Sequence, residues 1–326
     1  MLAAWLVSTV AVAQTCVPIR TLNVLGNRNG QPLTLSSGRT FGKGNYRVIS
    51  DLVLTNGTCT LNPGAIFYVD GQAAKVPLPG GGYQRQVTGC TITVGANASL
   101  VLDGATTTAS GSCHMWRGVV LNNGGTGPAG TYRLVMDNNS TISHALCGID
   151  IEDLYGGYAT GATEYIINNS TFANNLTHVR DNTSHNGPSF SVIANSTFNS
   201  DPAQMHFPYD HTSAADQFYT YQALLVTPRD DANHNFRYVL DVHHNAINEA
   251  VYGIVNNIDD RAGVQIHDNR LFDIYAKGIW TVDKLVPPTP PATTAAISGN
   301  RVFLNTALTQ PTEQIDPQAT SYGLYT

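Results

Sequence analysis

Val264-Gln265-Ile266, Asn269, Leu271-Phe272 and Gly278-Ile279 form one unit: an alternating apolar pair, an Asn, an aliphatic-aromatic step, and a Gly-aliphatic closure. The unit recurs down the chain. Asn139, Asn169, Asn195, Asn245, Asn269 and Asn300 mark its turns, and Leu134/Met136 and Leu240/Val242 precede two of them. Thr141-Ile142, Thr171-Phe172, Thr197-Phe198 and Val302-Phe303 follow the Asn, and Gly148-Ile149, Gly253-Ile254 and Gly323-Leu324 close the unit. Within it the apolar period is 2, not 3.6, and the runs are too short for helices. A unit of roughly 22 to 30 residues with three short strands predicts an all-β solenoid, a parallel β-helix whose coils pair about 4.8 Å apart. Asn suits its turn because it tolerates the left-handed region and its amide can bond the Asn of the next coil. The six Asn are therefore expected in one turn column as an Asn ladder, with Phe198 and Phe272 stacked inside.

The first half repeats in another dialect. Thr58-Cys59-Thr60-Leu61 reads as parallel to Gly89-Cys90-Thr91-Ile92, Leu100-Val101-Leu102-Asp103 to Leu134-Val135-Met136-Asp137, and Met115-Trp116-Arg117-Gly118-Val119 to the later closures. Residues 45–326 are expected to form the β-helix and residues 14–44 a cap segment. Leu52-Val53-Leu54, Leu61-Asn62-Pro63-Gly64 and Trp116-x-Gly118-Val119 resemble the secreted bacterial right-handed parallel β-helix proteins of the pectate-lyase-like superfamily. The resemblance implies the fold and its hand. It does not carry a function, because lyases, hydrolases, adhesins and phage tailspikes share this architecture.

Charged residues make up 12% of the 326, well under the usual quarter, and the net charge is -6 with a pI near 5.9. No basic stripe exists for nucleic acid, and no apolar run is long enough to span a bilayer. Residues 1–13 read as a signal peptide whose h-region ends in Ala11-Val12-Ala13, which predicts a secreted or cell-surface protein. In that compartment Cys59 and Cys90, at equivalent places in neighbouring coils, would either be bridged or be small buried stackers. No Cys/His spacing of a zinc site is present, so no metal is expected. Most of the Asn-x-Ser/Thr triplets coincide with turns and read as structural. The final Tyr322-Gly323-Leu324-Tyr325 repeats a closure, which predicts a fragment of a longer exported protein.

Charges follow each closure: Asp150, Glu152 and Asp153; Arg180 and Asp181; Arg229, Asp230 and Asp231; Asp259, Asp260 and Arg261; Asp283 and Lys284. Stacked coils would align them into an acidic edge. Asp230, Asp231, Asp259, Asp260 and Arg261 are the catalytic candidates, since paired carboxylates serve hydrolysis and a Ca²⁺-holding cluster with a base serves a lyase. No cofactor is expected unless the chain is such a lyase. The bland alternative is that these are solvated loop charges. The pectinase-type pattern implied by the resemblance lacks its Gly-His-Gly and Arg-x-Lys here. Trp116, Tyr155, Tyr158, His206 and His211 are candidate sugar contacts, though Trp116 also suits a coil interior. Two excursions, Asn199 to Tyr219 and Leu304 to Ser321, interrupt the repeat. The favoured reading is a non-catalytic exported β-helix of adhesin or carbohydrate-contacting type, with a polysaccharide or cell-surface glycan as partner. The alternative is a polysaccharide lyase or glycoside hydrolase on the acidic edge.

Overall fold

A computed structural model describes residues 23–77, 83–111, 114–122, 130–152, 163–182, 189–209, 219–226, 238–256, 263–281, 296–305 and 322–325. They form a parallel β-helix. The first strands of successive coils make a nine-stranded sheet running from Arg39–Phe41 through Gly57–Leu61, Ala98–Asp103, Tyr132–Asp137, Thr163–Asn168, Ser189–Ala194, Tyr238–His243 and Gly263–His267 to Ala296–Ser298. Short second strands such as Thr141–Ser143, Thr171–Ala173 and Thr197–Asn199, and third strands such as Cys147–Glu152 and Thr177–Asn182, share the other large sheet. Ala246–Asn256 and Arg270–Thr281 serve as second and third strand in one continuous run, which joins the two ranks. Val264 and Ile266 pair in parallel with Leu240 and Val242, as a solenoid requires.

Three inward columns build the core. The first strands stack Leu102, Met136, Ile167, Ile193, Val242 and Ile266. The second strands stack Ile142, Phe172, Phe198, Ile247 and Leu271. The third strands stack Ile92, Val119, Ile149, Val179, Leu224, Ile254 and Ile279. All of these are buried. The alternation in each strand follows from the pleat, which sends every second side chain inward.

Two expectations fail by a single residue, for one reason. Register aligns Thr141, Thr171, Thr197, Ala246, Arg270 and Arg301. The residues just before them are Ser140, Ser170, Ser196, Asn245, Asn269 and Asn300. So the six Asn occupy two adjacent columns. Asn139, Asn169 and Asn195 take the left-handed position, at φ 62, 42 and 50°, which His244, Asp268 and Gly299 fill in later coils at φ 55, 55 and 65°. The ladder is the next column. There Asn245 donates through Nδ2 to Asn269 Oδ1 at 3.0 Å, and Asn269 to Asn300 Oδ1 at 2.9 Å, while upstream the Ser196 backbone N–H donates to Asn245 Oδ1 and the Ser170 backbone N–H to Ser196 Oγ. The same slip puts Leu271 inside and turns Phe272 outward.

Three more expectations change. The stack begins before Tyr46: Asn23–Leu25, Leu33–Leu35 and Arg39–Phe41 already register on the following coil. Cys59 and Cys90 are not equivalent, because Cys59 pairs with Leu100 on a first strand whereas Cys90 precedes a third strand that pairs Ile92 with Leu52. Both are unbridged, and burial pushes each thiol up to about 11. Finally, the segment around Gly80 is flanked by Ala73–Pro77 and Tyr83–Val87, an antiparallel hairpin among these parallel strands.

Candidate functional site

Asp230, Asp231, Asp259, Asp260, Arg261, Tyr155, Tyr158 and His211 lie outside the described residues. The described portion of the expected acidic edge is Asp150, Glu152, Arg180 and Asp181, and it belongs to third strands rather than loops. Asp150 and Arg180 face outward as register partners and pair bidentately, with Arg180 Nε 2.7 Å from Asp150 Oδ1. Asp181, one residue on, points inward, is fully buried and accepts a hydrogen bond from Tyr165 Oη at 3.0 Å. Trp116 is not a sugar platform: its ring is fully buried, and Nε1 donates to the Ser143 carbonyl at 2.8 Å.

His206 belongs to a different construction, at the second turn, between second and third strands. Left-handed residues recur there at His144, Asn174, Glu249 and Asp273. Both the antiparallel hairpin and the excursion after Ser200 leave the coil at this turn, and they meet. Arg85 Nε donates to the Pro208 carbonyl at 3.2 Å, and Lys75 Nζ lies 5.3 Å from the Phe207 ring centre. The excursion runs back over earlier coils, where His206 stacks on His144 with ring centres 3.9 Å apart, and Met115 N donates to Phe207 O at 2.9 Å. Burial lowers His144 to about 4 and His206 to about 3, so both rings are neutral. This strap closes the turn edge around His144, and His206 belongs to the closure.

Beyond the strap no described segment covers this edge. On the outward side of the second strands, Asn199 and Asn248 are register partners, and Asn248 Nδ2 donates to Asn199 Oδ1 at 2.7 Å. An aromatic pair follows them: Phe272 and Phe303 stack with centres 4.9 Å apart and planes 5° from parallel, and Phe303 is 53% exposed. Exposed Arg270 and Arg301, register partners, flank the pair on one side. On the other side stands the second turn, where Asn305 Nδ2 donates to Asp273 Oδ1 at 2.9 Å. Glu249 sits one coil earlier, half-buried and left-handed at φ 56°. Its carboxyl is raised by burial first and then by Asp201 and Asp273. Tyr219 and Tyr275 pack beside it with centres 4.4 Å apart, and burial raises Tyr275, with the Tyr219 hydrogen bond and nearby Glu249 and Asp273 adding to the shift. The sequence carried these residues in plain sight; a one-residue ambiguity of register hid Phe272 and Phe303 as core.

One group among the described residues could hold a metal ion: His244, His267 and Asp268, at the first turn, with donor atoms within 4.8 Å of one another. No helix among the described residues is long and apolar enough to cross a membrane. No protein-family model matches the chain, and neither does any curated protein or solved structure. The fold and site therefore define its class: a parallel β-helix with a strapped turn edge and an exposed aromatic and polar face.

Proposed function

We propose that this chain is an exported β-helix that holds a glycan along the outward face of its second strands without turning it over. The observation that carries the reading is the exposed Phe272–Phe303 stack, flanked by Arg270, Arg301, Asp273 and Asn305. The exposed Phe303 ring, backed by Phe272, suits the C–H face of a pyranose, while guanidinium, carboxylate and amide groups around it suit the hydroxyls. Export is supported by the signal-like residues 1–13. The superfamily resemblance is compatible with a surface or adhesin role, and nothing further rests on it.

Affinity electrophoresis of the purified chain through gels containing neutral or acidic polysaccharides tests this. Retardation by at least one polymer, lost in Phe303→Ala, is the expected result. Equal migration in every gel, or undiminished retardation of the variant, overturns it.

A second reading, glycoside hydrolysis, is favoured by one feature: Glu249 is held toward its protonated form beside two further carboxylates. Environments that separate carboxyl affinities suit an acid and a base. Release of reducing ends that disappears in Glu249→Gln would replace the binding reading by the hydrolytic one. Unsaturated products that require added Ca²⁺ would point instead to a lyase.

A further inference from the structure

The first turn changes character in two successive coils. Upstream its left-handed position is Asn139, Asn169 and Asn195, each a residue chosen by backbone need. At the next two coils it is His244 and Asp268, and the residue before each is also a histidine, His243 and His267. His243 and His267 are register partners whose rings stack 5.1 Å apart with planes 8° from parallel. Asp241, two residues before His243 on the same outward side, completes the group. Side chains with metal-binding atoms from two separate coils thus converge on one edge.

Their contacts set lone pairs against one another. His267 Nδ1 lies 2.9 Å from Asp268 Oδ2, and its Nε2 lies 3.1 Å from Asp241 Oδ1. A neutral imidazole has one N–H, so it can donate to only one of these carboxylates, and its lone pair faces the other. The Asp241 contact is also close without being aligned: that oxygen is shielded from solvent and has no hydrogen bond of proper geometry. His243 Nδ1 meets His244 Nδ1 at 2.8 Å, where again only one ring can donate. A metal ion held by His244, His267 and Asp268 would take up lone pairs from both coils.

We propose that His244, His267 and Asp268 form a surface site for a divalent transition metal of the zinc type, with His243 and Asp241 as supporting groups. Two imidazoles and a carboxylate are borderline donors that favour Zn²⁺, Ni²⁺ or Cu²⁺ over Ca²⁺ or Mg²⁺. Tetrahedral coordination at about 2.0 Å places donor atoms about 3.3 Å apart. The three donor atoms here lie within 4.8 Å of one another, so a small inward rotation of the side chains closes the set. His244 and Asp268 are exposed and His267 partly so, which leaves coordination positions for water or a ligand oxygen. Asp241 beside His267 is the outer carboxylate that commonly orients a ligating imidazole.

The turn itself supplies the control. His244→Asn with Asp268→Asn restores the residue that Asn139, Asn169 and Asn195 place at this position, so it removes two ligands while keeping the backbone preference. Isothermal titration of the intact chain with Zn²⁺, at constant pH and without chelating buffer, should give one site with micromolar affinity. The double variant should keep the wild-type circular dichroism and bind at least about 10-fold more weakly. Cobalt(II) added to the wild type should give a visible ligand-field band that the variant lacks. Unchanged Zn²⁺ affinity in the double variant, no Zn²⁺ binding by the wild type, or Ca²⁺ binding as tight as Zn²⁺ would each overturn the assignment.

Discussion

Phe198 and Phe272 sit in similar sequence settings and have opposite fates. Phe198 is fully buried between Phe172 and Ile247, stacked on Phe172 with ring centres 5.0 Å apart. Its replacement by Ala should cost about 3 to 5 kcal/mol, read as a drop in denaturation midpoint. Phe272→Ala removes a partly exposed ring and should cost well under half of that. The two Asn columns divide in the same way. Asn269 is fully buried and fastens three neighbours, accepting from the Asn245 backbone N–H and amide and donating to Val242 O and Asn300 Oδ1. Asn269→Ala leaves buried polar groups unpaired and should cost at least about 1 to 3 kcal/mol. Asn195 is exposed, serves its backbone angle and donates only a surface hydrogen bond to Asn168 Oδ1, so Asn195→Gly should cost less than about 1 kcal/mol in the same measurement.

At the level of elements, the strap and the turn beyond it respond to acid in opposite senses. His144 has a folded value of about 4 against an ordinary 6.5, because burial disfavours its charge. Above pH 6.5 neither state is charged and nothing is lost. As pH falls from 6.5 toward 4, the unfolded chain takes up a proton that the fold refuses, so stability declines. His206 acts in the same direction to lower pH. His144→Asn, the residue that Asn174 supplies one coil on, should flatten the fall in melting temperature between pH 6.5 and 4. Glu249 is the reverse case, since its folded value is raised. The fold favours its proton, so its contribution is fullest below the ordinary carboxyl range and is lost as pH rises through the raised value. Relative to wild type, Glu249→Gln should therefore melt higher at about pH 7 than at about pH 4.

Across the whole molecule, stability rests on coil-to-coil spacing, and glycine sets it at the start of some third strands. A Cβ on Gly118, at φ 117°, would stand 1.6 Å from the Cys147 carbonyl of the next coil. Gly118→Ala must push these neighbouring coils apart or twist both. It should lower the melting temperature markedly and raise amide exchange in Gly118–Asn122 and Cys147–Glu152 together, since each coil is held mainly by its neighbours. The sequence by itself determined the class of fold: period-2 runs, turn Asn and Gly closures at coil spacing admit little besides stacked parallel strands. It also aligned Val119, Ile149, Ile254 and Ile279 of the third-strand column, where Gly precedes the aliphatic residue, but not Ile92, Val179 and Leu224, which lack that Gly. Only the tertiary structure decided which of two adjacent turn positions each Asn occupies. In later coils His or Asp fills the left-handed position and Asn shifts to the ladder, so identical letters mark different columns. Because the pleat has period 2, that one-residue ambiguity exchanges inside for outside, and it turned the Phe272–Phe303 platform into apparent core. Coil lengths that vary with their loops hid the rest: the strap's return to His144 and the meeting of His243 with His267 are set by stacking register, which no linear spacing records.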